Sequence, residues 1–70
     1  KDEIERGFAR LSVEHRTVLV LHHYLGYTFP QIAQVLSIPV GTAKSRIHRA
    51  SVAMREAIST DQRQQQGQVA

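Results

Sequence analysis

Apolar residues recur along this chain at steps of three and four, the spacing that lines one side of a helix. The longest run is Val40, Ala43, Ile47, Ala50 and Met54, one stripe of a helix entered after Pro39. Upstream, Ile4, Phe8 and Leu11 follow the same spacing, and Asp2 and Glu5 stand where a capping box would start that helix. Ser12 breaks the run and is placed to cap a second helix from Val13, whose face is Val18, Leu21 and Leu25, with Gly26 as its left-handed stop. A third helix has the clearest start. Thr28 and Gln31 fit the T-x-x-Q capping box, Tyr27 and Ile32 fit a hydrophobic staple, and Pro30 sits in the first turn, where amides need no intrahelical acceptor. Ile32, Ala33 and Leu36 are its buried side. Pro39 then discourages continuation and leaves Ser37-Ile38 as a tight turn.

No stretch shows strand-like alternation and no segment repeats, so the expected fold is all-α with four helices. A short helix, a tight turn and a longer helix form a helix-turn-helix, which offers its second helix to the major groove of DNA. The fourth helix is expected to end near Ile58. This divides the chain into a domain over 1–58 and a polar tail over 59–70, rich in glutamine and read as frayed or disordered because it has almost nothing to bury.

Charge sharpens the picture. The net charge of +3 falls entirely on residues 37–70, since the acids and bases of residues 1–36 cancel. No acid interrupts Lys44 to Arg55, and Thr42, Lys44, Ser45, Arg46, His48 and Arg49 surround the apolar stripe with hydroxyls and cations. Such a helix surface suits phosphates and base edges; a solvated basic face with no partner is the plainer alternative. Leu19 and Val20 point away from the Val18 face. They are either surface apolarity, packing against the first helix, or a patch for another protein.

Other chemistries find little support. The chain has no cysteine, which removes disulfides and thiolate metal sites. His15, His22 and His23 have no carboxylate or further histidine to complete a metal site. Ser45 and His48 are neighbours on the helix but lack an oxyanion loop, and Gly41 is a lone glycine, so no enzyme, cofactor or small-molecule substrate is expected. No apolar run is long enough to span a membrane and no secretory signal pattern opens the chain. With 70 residues and no initiator Met, we expect one small domain cut from a longer protein.

Leu11 to Leu19, then Gly26 to Ala33, then Ile38 to Ala50 resemble region four of a bacterial sigma factor, most closely of the extracytoplasmic-function group. The resemblance covers residues 11 to about 57 and places the helix-turn-helix in the winged-helix-like superfamily, without a wing. It implies a cytoplasmic bacterial domain that binds the minus-thirty-five element of double-stranded promoter DNA while docked on the beta-flap of the RNA polymerase core. Members are often held inactive by an anti-sigma factor. By position, Lys44, Ser45, His48 and Arg49 would face bases, and Thr42 and Arg46 the backbone; Leu19 and Val20 are then candidates for the polymerase or anti-sigma contact. Ser37 stands where the family usually has Gly, Ala43 replaces a usual Val, and Phe29-Pro30 replaces Tyr-Glu. The family's promoter-melting domain has no counterpart here. The LuxR-type effector domain of response regulators shares the Glu14, Gly26, Ile32-Ala33 and Thr42 pattern, but it usually has His in place of Arg46 and lacks the Arg-x-x-Arg-Ala of Arg46 to Ala50.

Overall fold

A computed structural model describes the backbone of residues 2–69 and the side chains of residues 3–64. Its helices are α1 (Asp2–Ala9), α2 (Val13–Leu19), α3 (Phe29–Leu36) and α4 (Val40–Val69), with a π-helical turn at Val20–Tyr24 carrying α2 onward. No strand occurs among the described residues. Helices α1, α2 and α3 all pack on α4, which runs the length of a molecule measuring 48 × 18 × 15 Å.

The local signals explain most boundaries. The Ser12 side chain accepts from the His15 amide at 3.1 Å and starts α2. The Thr28 box closes in both directions: the Thr28 amide donates to Gln31 Oε1 at 2.8 Å, and the Gln31 amide donates to Thr28 Oγ1 at 3.3 Å. Gly26 takes φ +75°, as expected of a left-handed stop. At the other end of α3, Ser37 is left-handed at φ 56°, ψ 46°. The Ile38 amide reaches back to the Ala33 carbonyl (2.9 Å) and the Ser37 amide to that of Gln34 (3.3 Å). This pair of bonds is a Schellman closure, with Ile38 tucked against the core. The side chain of Asp2, expected to cap α1, lies outside the described residues.

The core is Leu11, Val18, Leu19, Ile32, Ala33, Ala43, Ile47, Ala50 and Ala57, with Phe8, Leu21, Leu36 and Met54 partly buried around it. Ala43, Ile47 and Ala50 are therefore on the inner face, as the periodicity predicts. Four expectations are corrected. Val40 is 47% exposed because it opens α4, ahead of the segment that the other helices cover. Leu25 is 51% exposed: the Leu25 amide bonds to the Val20 carbonyl, five residues back, and this wider turn rotates Leu25 off the face projected from Val18. Leu19, a candidate with Val20 for an exposed partner patch, is instead buried at 8% exposure: of the alternatives, it packs against the first helix, where α1 brings Phe8 to that flank. Ile4 is exposed because α1 turns a different side to α4, the line Glu3, Arg6 and Gly7, which Arg10 continues in the turn just past the helix. Gly7 lets the helices close, as a Cβ there would stand 2.9 Å from Ile58 Cγ1.

The polar segment after Ile58 also departs from expectation. The helix expected to end near Ile58 runs on as part of α4 to Val69. Asp61 is buried at 4% exposure, and its Oδ2 accepts from Arg6 Nε at 2.8 Å. Polar partners on α1 supply what apolar burial does not.

Candidate nucleic-acid interface

Helix α4 emerges from the Ser37-Ile38 turn, and the Ala43 amide bonds to the Pro39 carbonyl at 3.0 Å as its first turn forms. With Ala43, Ile47 and Ala50 turned inward, the helical advance fixes the outer face. Around it, in order, come Lys44, His48, Ser45, Arg49, Thr42 and Arg46. Thr42, Lys44, Ser45, His48 and Arg49 are all exposed, and Arg46 is half-buried. All six are thus brought to one continuous convex strip, Lys44 and Arg46 at its opposite edges and Ser45 near its crest. The amino-terminal end of α4 adds the positive pole of the helix dipole beside Thr42.

Among the described residues, Arg46 is the one member of the strip held in an ion pair. Its Nη1 lies 3.7 Å from Glu14 Oε2, and its side chain is only 25% exposed. Glu14, in the first turn of α2, escaped the sequence reading as a partner for this strip. The two residues are 32 apart in the chain, and only the packing of α2 on α4 brings them together. At 3.7 Å, with Glu14 62% exposed, the contact is a loose ion pair that a phosphate can replace. Lys44, Ser45, His48 and Arg49 project freely and can address base edges: Arg forks onto O6 and N7 of guanine, and Lys reaches the same acceptors.

The opposite side of the molecule has a different character. An apolar groove of about 890 Å³ is lined by Phe8, Leu19, Val20, Tyr24 and Met54, with Glu5, His23 and Ser51 at its polar positions. Leu19, being buried, belongs to its floor, while Val20 (37% exposed) and Tyr24 (84% exposed) stand at its rim. Tyr24 lies four residues after Val20, a spacing that could have signalled the patch; the π turn hid how the two would be presented.

Of the histidines, His22 and His23 meet edge to face with ring centroids 4.9 Å apart. His22 Nδ1 donates to the Tyr27 carbonyl at 2.9 Å, and its ring lies 5.0 Å from that of Phe29. This contact braces the loop between the π turn and α3. Among the described residues no three of His, Cys, Asp or Glu are arranged to hold a metal ion. Nor is any helix there long and apolar enough to cross a membrane.

The family model described as "Sigma-70, region 4" matches residues 1–54. The chain is 46% identical over 52 residues to the ECF RNA polymerase sigma factor SigL of Mycobacterium tuberculosis, covering 74% of this chain and 29% of that protein. To the ECF RNA polymerase sigma factor SigW of Bacillus subtilis it is 40% identical over 53 residues, 76% of this chain and 28% of the relative. To the RNA polymerase sigma-H factor of Pseudomonas aeruginosa it is 39% identical over 62 residues, 83% and 32% respectively. The chain thus spans less than a third of the length of these relatives. No solved structure matches it.

Proposed function

The chain belongs to the sigma-70 region 4 family, in its ECF group, and on that premise we propose that it recognises promoters in transcription initiation by laying α4 in the major groove of the minus-thirty-five element. The family match sets aside the LuxR-type alternative. In this reading Arg49 and Lys44 choose bases, Ser45 and His48 line the space between them, and Thr42 and Arg46 hold phosphates. Backbone contacts fix register without carrying sequence, so base choice falls to the span from Lys44 across the crest to Arg49 and register to the opposite edge at Thr42 and Arg46. The observation that carries the reading is the acid-free exposed strip on α4, set opposite its own core stripe. Glu14 supports it by holding Arg46 at the edge until a phosphate takes its place.

The second half of the reading concerns the groove. With Val20 and Tyr24 at its rim it serves as the dock for the beta-flap of RNA polymerase, and an anti-sigma factor acts by covering the same side. Membership of the family supports both partners and a cytoplasmic bacterial setting as part of this proposal. No catalysis is assigned to the chain.

Methylation interference tests the DNA assignment within polymerase holoenzyme. A methyl group on guanine N7 blocks the major-groove acceptor that Arg49 or Lys44 uses. Interference at guanines of the minus-thirty-five element is the expected result. Interference confined to minor-groove adenine N3 would refute the placement of α4.

A further inference from the structure

Asp61 is the only charged residue buried among the described residues. It stands on α4 where the stripe Ala43, Ile47, Ala50, Met54 and Ala57 puts its next member, so the helix turns a carboxylate toward α1 where an apolar side chain would continue the pattern. Oδ2 accepts from Arg6 Nε at 2.8 Å, and Oδ1 lies 3.7 Å from Arg10 Nη2. Arg10 Nη2 also donates to Gln64 Oε1 at 2.6 Å, and Gln62 Nε2 donates to Glu3 Oε2 at 2.6 Å. These contacts form a clasp between α1 and residues 61–64.

Each side depends on the other. A carboxylate removed from water is unfavourable unless its oxygens are paired, and the pairs come from α1. Docked through these pairs and its contacts with α4, α1 is held in place on the fold. The same helix supplies Phe8 and Glu5 to the apolar groove, facing Leu19, Val20 and Met54. The clasp is therefore what holds one wall of the groove in place, although none of its α4 residues lines the groove.

We propose that Asp61 is a positioning residue for partner docking: by fixing α1 it sets the Phe8 wall and hence the affinity of the groove for RNA polymerase. The proposal rests on the reading of the groove as the polymerase dock. It assigns the polar end of α4 a role in protein binding and none in DNA recognition.

Two measurements on the chain, with Asp61→Asn and Asp61→Glu variants, test it. One is hydrogen exchange resolved by residue; the other is equilibrium binding to RNA polymerase core. In Asp61→Asn, α1 amides should exchange about tenfold faster or more, while those of 43–50 keep their parent rates. Core binding should weaken several-fold and Asp61→Glu should restore both, because it returns the carboxylate that packing alone does not require. Arg10→Gln alters a partly exposed side chain and should reproduce the pattern at smaller amplitude if Asp61→Asn unfolds the chain. Unchanged α1 exchange in the Asn variant would overturn the clasp. Looser α1 with unchanged core binding would overturn the positioning role. Failure of the dock itself has a separate mark: Val20→Asp would bind core as the parent does, while α1 exchange still answered to Asp61.

Discussion

The two halves of α4 are held by opposite means. From Val40 to Ala50 the helix is fixed by its small apolar residues: Ala43 and Ala50 are fully buried, Ile47 nearly so, and α2 and α3 lie against them. Beyond Ala57 the next inward position, Asp61, is charged, and α1 is drawn in by Asp61, Gln62 and Gln64. Burial of alkyl groups is non-directional and is not weakened by charge screening, so the first half presents its outer face rigidly whatever the charges around it do. A charge-paired seam depends on a few directed bonds and opens at lower cost. The difference matches the proposed division of labour. A rigid strip suits base recognition, and a releasable seam suits a groove that must admit another protein.

The largest effect that can test this contrast is Ile47→Ala. It should cost about 2–5 kcal/mol, against a total stability of about 5 kcal/mol for so small a domain. A thermal melt followed by circular dichroism should show most of the population unfolded or the midpoint sharply lowered. A melt indistinguishable from the parent would remove the claim that the first half rests on its stripe.

Gly7→Val probes the other half. A branched side chain where even a Cβ meets Ile58 Cγ1 at 2.9 Å must push α1 outward. Overpacking of this kind costs about 1–3 kcal/mol, and here it should fall on the seam alone. Hydrogen exchange should accelerate in α1 and in α4 beyond Ile58, with residues 43–50 unaffected. Uniform acceleration would show that the two halves are one cooperative unit and dissolve the comparison.

The smallest effect belongs to the turn. Ser37 adopts the left-handed conformation at φ 56° that glycine occupies without cost. Ser37→Gly should raise stability by about 0.5–1 kcal/mol, since the Schellman bonds are made by backbone and survive the change. Chemical denaturation gives the sign. A loss of stability would mean that Ser37 contributes more than its conformation.

The same contrast governs how much was legible in the sequence. The helix-turn-helix could be read because each of its signals is local. The Thr28–Gln31 box, Gly26, the Ser37 turn and the Ala43–Ile47–Ala50 spacing are all found where the residues predict them. What escaped depends on residues far apart. Arg6 and Asp61 are 55 positions from each other, and a glutamine-rich segment carries no mark of the helix it will meet. Extending the stripe by four residues from Ala57 lands on Asp61, and that was the signal available; its charge masked it. The π turn has no residue signature, so the spacing that points Leu25 inward fails there, while Leu19 takes the alternative of packing against α1, which spacing alone does not select. That the six proposed strip residues lie together on the outer side of α4 follows from their spacing, whereas the Glu14 partner of Arg46 required the tertiary packing.

The most direct test of the central claim is duplex binding across a range of salt by holoenzyme carrying Arg49→Ala or Arg46→Ala. Arg49→Ala should lose about 1–3 kcal/mol on the cognate minus-thirty-five element and discriminate less at one base pair. Arg46→Ala should weaken all sequences alike and reduce the salt slope by about one. Affinity and base preference left intact by Arg49→Ala would contradict the assignment of α4 as the recognition helix.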